Sequence, residues 1–88
     1  SQLIQVDLGA SYNITRVKLT WEAAYATAYQ IQISSNGNSW TTLRSVTGNS
    51  ALINDQTGLN GTGRYVRING TAKALPAWGF SLFELEVY

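Results

Sequence analysis

Eighty-eight residues with 12% charged side chains and a formal net charge of +1 suffice for one small domain, residues 1–88, and give no field strong enough to gather nucleic acid or anionic lipid. Histidine and cysteine are both absent, which removes Ser-His and Cys nucleophiles, the usual zinc ligands and any disulfide. No run approaches the roughly 18 apolar residues of a membrane span, and no signal-peptide pattern opens the chain.

From the first residues the pattern is strand-like. Ile4, Val6 and Leu8 alternate with Gln5 and Asp7, and side chains two apart share one face of a strand. The opening reads as the start of a strand and not as a natural N-terminus, so the chain is expected to be a module excised from a longer protein or a shortened one. Gly9 to Asn13 is rich in turn formers and is expected to break the strand. Val17, Leu19 and Trp21 then face inward against Arg16, Lys18 and Thr20. Ile14 is out of phase with them, which implies a bulge or a strand that starts after Thr15.

Glu22 to Ala28 is the only stretch of helical composition, too short for a stable helix, and is expected to be a loop. Tyr29, Ile31 and Ile33 alternate with Gln30 and Gln32. Asn36-Gly37 follows, a strong hairpin signal, leading into a strand from Trp40 to Val46. Ala51 to Ile53 is a brief apolar run, and Asn54 to Gly63 reads as a polar connection with the single apolar residue Leu59. Val66 and Ile68 mark another strand, which Asn69-Gly70-Thr71 is expected to end. The last strand sets Phe83, Leu85 and Val87 against Glu84, Glu86 and Tyr88. Six or seven short strands without an amphipathic helix predict an all-β, antiparallel β-sandwich. Its expected core is Ile4, Val6, Leu8, Val17, Leu19, Trp21, Ile31, Ile33, Trp40, Val66, Ile68, Phe83, Leu85 and Val87.

Four pieces resemble the discoidin family, also called F5/8 type C or galactose-binding-like. They are Ile4-Gln5-Val6-Asp7-Leu8-Gly9; Arg16-Val17-Lys18-Leu19 with Trp21-Glu22; Tyr29 to Ser34 with Asn36-Gly37-Asn38-Ser39-Trp40; and Arg64-Tyr65-Val66-Arg67-Ile68 leading to Trp78 through Tyr88. The likeness is greatest to the bacterial family 32 carbohydrate-binding modules. It implies a jelly-roll sandwich and a secreted or cell-surface, non-catalytic module attached to a glycoside hydrolase. The family usually carries a further N-terminal segment with early strands, part of the glycan site and a loop that helps to hold calcium. The present residues start after it, so the jelly roll is expected to be truncated and to self-associate through an exposed strand edge.

Candidate chemistry is sparse. Glu84 and Glu86 would lie about 6.6 Å apart on one strand face, within the roughly 5–9.5 Å used by glycosidases. No group placed to tune either one accompanies them, so they read as solvated carboxylates and the chain as no enzyme. Trp78 and Phe80 flank Gly79, and a sugar's C–H face stacks on an aromatic ring. The competing reading is that these rings plug the sandwich end. Glu22 and Tyr25 stand among alanines, and a carboxylate there could accept from sugar hydroxyls or a glucosamine ammonium. Lys73 and Arg64 are candidate rim donors. The expected ligand-binding set is therefore Trp78, Phe80, Glu22, Tyr25 and Lys73, with a β-glucan, chitosan-like chain or galactoside as ligand. The alternative function is a discoidin-type protein-adhesion or lipid-binding domain. No cofactor is required. Asn54-Asp55-Gln56 supplies oxygens for a structural calcium without the spacing of an EF-hand.

Overall fold

The computed structural model describes residues 2–21, 26–73 and 82–88, and the side chains of all these except residues 2, 26, 72, 73, 82 and 83. Seven strands run through them: β1 (Gln2–Ile14), β2 (Val17–Trp21), β3 (Ala26–Ser34), β4 (Thr41–Val46), β5 (Ile53–Gln56), β6 (Gly61–Lys73) and β7 (Leu82–Val87). They form two antiparallel sheets, β1-β6-β3-β4 and β5-β2-β7. The all-β sandwich follows from the alternation. In β2, Val17, Leu19 and Trp21 are buried while Lys18 and Thr20 are only partly covered. Val66 and Ile68 on β6 lie between Val6 and Ile4 on β1 and Ile33 and Ile31 on β3, on one face.

The core comprises Ile14, Val17, Leu19, Trp21, Tyr29, Ile31, Ile33, Leu59, Val66 and Ile68. Ile4, Leu8, Leu85 and Val87 pack against it half-buried, and Val6 is also only half-buried. Phe83 lies outside the described side chains.

Several expectations need correction. Gly9 to Asn13 does not end the first strand. Between the pairs Asp7–Tyr65 and Tyr12–Gly63, β1 advances five residues while β6 advances two, so the extra residues leave the ladder as a bulge and pairing resumes. Gly9 takes φ +83°, a conformation open to glycine, and its N–H donates to Asp7 Oδ1 at 2.8 Å. Pairing through the bulge brings Ile14 fully into the core. Asn69-Gly70-Thr71 does not end β6 either, because Gly70 is paired on both sides, with Gln2 and Tyr29. The polar connection after Ile53 begins as a strand, β5, held to β2 from Val17–Gln56 to Thr20–Ile53.

Trp40 is not a core residue. It is half-buried with the Arg67 guanidinium 4.2 Å from its ring centroid, and Arg67 alternates with the buried Val66 and Ile68, so both lie on the outer side. The Asn36-Gly37 hairpin is present with a wider loop than a two-residue turn. Ser34 Oγ accepts from the N–H groups of Asn36 and Gly37, and Asn36 Oδ1 from those of Asn38 and Ser39.

Among the described residues two exposed ion pairs form, Arg16 of the β1–β2 connection with Asp55 on β5 and Arg64 on β6 with Asp7 on β1, each with Nε 2.8 Å from the carboxylate. Hydrogen bonds from Arg16 hold the Asp55 carboxyl below its usual 3.8, and those from Arg64 and then Gly9 do the same for Asp7. A carboxyl depressed in the folded state stabilises fully above its unfolded value and loses that contribution as pH falls through the folded value. The melting temperature is therefore expected to be insensitive to these groups from pH 7 to 5 and to fall below about pH 4. Asp7→Asn with Asp55→Asn should flatten that acid limb in pH-dependent thermal melts. The change should be small, since exposed pairs contribute little.

Candidate functional site

Two connections leave the sandwich at the same end. β2 ends at Trp21 and β3 begins at Ala26; β6 ends at Lys73 and β7 begins at Leu82. Trp21 pairs with Leu82, and Ala26 with Lys73. The strand ends on either side of segments 22–25 and 74–81 therefore adjoin. The register brings together the stems of the two segments that sequence singled out. Glu22, Tyr25, Trp78 and Phe80 themselves lie outside the described residues, as does the side chain of Lys73.

A third connection, 47–52, joins this end. Leu52 C=O accepts from Trp21 N–H at 2.7 Å, and Asn49 N–H donates to Thr27 C=O at 2.8 Å. Leu52 and Ile53 are exposed beside the stems, at 48% and 60%. Sequence reading gave Ala51–Ile53 no place at the site, and its three apolar residues carry no period to separate a rim from a core strand.

Beneath the stems lies a polar network within the apolar core. Asn54 Oδ1 accepts from Trp21 Nε1 at 2.8 Å and from the Tyr29 hydroxyl at 3.1 Å. Asn54 Nδ2 donates to Asn49 Oδ1 at 3.0 Å. Gln56 Nε2 donates to the Tyr29 oxygen, and Arg44 Nη1 to Gln56 Oε1. The Trp21 and Tyr29 rings meet tilted, with centroids 5.6 Å apart. Burial pushes the Tyr29 phenol above its usual 10, with partial offset by the Gln56 hydrogen bond, so it is a neutral donor at ordinary pH.

Of the other sequence candidates, Arg64 and Glu86 are engaged elsewhere, and Glu84 lies on β7 beside this end. Arg64 makes a bidentate pair with Asp7 and lies over the Tyr65 ring. Glu84 and Glu86 flank Leu85 opposite Thr20 and Lys18, and Glu86 accepts from the Tyr88 hydroxyl at 2.6 Å. For calcium, Asn54 turns its amide into the core while Asp55 faces outward to Arg16 and Gln56 inward to Tyr29. Alternation along the strand thus keeps these oxygens from converging, and the trio does not fit a calcium ion. Among the described residues no three acidic, histidine or cysteine side chains cluster to hold a metal. At the opposite end an open pocket of about 320 Å³ is lined by Leu8, Tyr12, Asn13, Ile14, Val87 and Tyr88.

A search of curated protein sequences gives no match. Among solved structures, chitosan-binding module 2 of a chitosanase/glucanase from Paenibacillus sp. IK-5, in complex with chitotriose, is 44% identical with a TM-score of 0.92; the alignment covers 100% of this chain and 70% of that one. Chitosan-binding module 1 of the same enzyme is 45% identical with a TM-score of 0.90, covering 98% and 67%. The family 32 carbohydrate-binding module of EndoD from Streptococcus pneumoniae is 15% identical with a TM-score of 0.79, covering 98% and 68%, and shares the fold. This chain thus spans about two thirds of the length of each relative. The model of the F5/8 type C domain matches residues 1–85. With a match over nearly its whole length, and the two-sheet sandwich to go with it, the chain belongs to the F5/8 type C domain family.

Proposed function

We propose that this chain is a non-catalytic carbohydrate-binding module that holds a chitosan-like chain at the end of the sandwich where segments 22–25 and 74–81 leave. The observation that carries this reading is the 44% identity, over the whole of this chain, to a chitosan-binding module crystallised with chitotriose. The convergence of the stems supports it, because two connections from different sheets can border one ligand. In this reading Trp78 stacks on a sugar face, with Phe80 and Tyr25 at its border. Glu22 accepts from the glucosamine ammonium or from sugar hydroxyls, and Lys73 donates at the rim. The module sits on a secreted enzyme that degrades glycans and keeps it near its polymer.

The test is a titration with chitosan trimer beside a neutral β-glucan trimer and a galactoside. Chitosan trimer is expected to bind with an affinity in the millimolar to high-micromolar range, about −4 to −6 kcal/mol, since one stacked ring and few hydrogen bonds form the contact. No reducing ends should appear on incubation with polymer. Glu22→Gln should weaken chitosan trimer; a loss confined to it makes Glu22 the ammonium partner, and an equal loss for neutral glycans makes it a hydroxyl acceptor. Binding to none of the three sugars, with retention on lipid vesicles or on a protein matrix instead, would favour the adhesion or lipid-binding reading.

A further inference from the structure

Asn54 is 8% exposed, on the four-residue strand β5, and its amide serves both sheets. Its Oδ1 takes the Trp21 indole N–H from β2 and the Tyr29 hydroxyl from β3. Trp21 is the last described residue before segment 22–25, and β3 starts directly after it. The amide orientation is determined by its partners, because an indole N–H can only donate and so must meet the oxygen. Nδ2 then points to Asn49 Oδ1, and the Asn49 N–H holds Thr27 C=O on the far side of the same segment. Both stems of segment 22–25 are thus tied to one buried side chain. A leucine at this place would satisfy the apolar core without the cost of burying an amide. What the amide adds is direction: it fixes the angle of the Trp21 ring and the separation of the two sheets at this end.

We propose that Asn54 is a positioning residue for glycan binding, setting through Trp21 and Asn49 where the segment bearing Glu22 and Tyr25 leaves and re-enters the sandwich. This rests on the reading of the loop end as the glycan site. An open site with few contacts depends on their alignment, so a displaced stem should cost affinity even when the fold persists.

The experiment titrates chitosan trimer into the wild type, Asn54→Ala, Asn54→Asp and, at the opposite end of the core, Ile14→Val, at a temperature where thermal melts show each fully folded. Asn54→Ala is expected to weaken binding at least tenfold, Ile14→Val less than twofold. Asn54→Asp keeps the acceptor bonds to Trp21 and Tyr29 but turns an oxygen toward Asn49 Oδ1, so it should recover only the part of the loss carried by Trp21. A folded Asn54→Ala that binds within twofold of wild type overturns the proposal, as does an equal loss in Ile14→Val. If Asn54→Ala does not fold, Asn49→Ala is read in its place, with a threefold loss expected and an unchanged affinity overturning the proposal. A wild type that binds no chitosan trimer overturns the glycan reading itself, and the positioning role with it; wild-type binding with indifferent variants overturns the positioning role alone.

Discussion

Leu19→Ala is expected to lower the thermal midpoint by at least about 8 °C, and to leave the domain partly unfolded at 37 °C. Leu19 is fully buried in the middle strand of the three-stranded sheet, paired with Asn54 on one side and Leu85 on the other. Removing a buried leucine side chain costs about 2–5 kcal/mol, the transfer loss plus the cavity left behind. Small domains hold roughly 5–15 kcal/mol in all, and at this size each 1 kcal/mol moves the midpoint about 4–8 °C. Among the described residues three strands form this sheet, so little surrounding structure can close over the void. Calorimetry or a circular dichroism melt gives the number, and a shift under about 4 °C would mean that the two sheets are not held together through Leu19.

The second large effect is on binding. Trp78→Ala should weaken chitosan trimer by about 1–3 kcal/mol, the range for planar ligands on aromatic rings, or roughly 5- to 150-fold. The far-ultraviolet spectrum and the melting temperature should stay near wild type, since a ring turned to the ligand contributes little to the core. Loss of the fold would make Trp78 a plug of the sandwich end, and unchanged binding in a folded variant would end its stacking role.

What could be read from the sequence followed from periodicity. β2 and the middle of β6 were plain because one side is buried and the other carries Lys18, Thr20 and Arg67. Where irregular backbone interrupts the period, the signal fails. Gly9 to Asn13 looks like a turn because the residues that leave the ladder in a bulge are those that leave it in a loop. Gly70 looks like a breaker, yet it is paired within β6, opposite the buried Tyr29. Trp40 reads as inward because it closes the Asn36-Gly37 hairpin and the family resemblance implies a packing aromatic there; Arg67, 27 residues on, holds it outside. For the site, sequence pointed to segments 22–25 and 74–81, and the strand register places their stems together. Asn54 was not legible. Its partners Trp21 and Tyr29 are 33 and 25 residues away, and nothing local in Ile53-Asn54-Asp55-Gln56 separates a buried amide from a solvated one. Leu59 did leave a trace, as the lone apolar residue of a polar stretch that proves to be buried, with its N–H on Thr15 C=O.

The place of β6 between β1 and β3 also governs the order in which the chain can assemble. β3 and β4 adjoin in sequence and can zip from the Asn36-Gly37 loop within microseconds. Among the described residues β1 pairs with β6 alone, Gln2 opposite Gly70 and Asp7 opposite Tyr65. Some half-hundred residues separate β1 from β6, so this pairing closes a long loop. Closure of so long a loop precedes any reward from pairing, so the joining of β6 to β1 is expected to be slower than the β3–β4 hairpin.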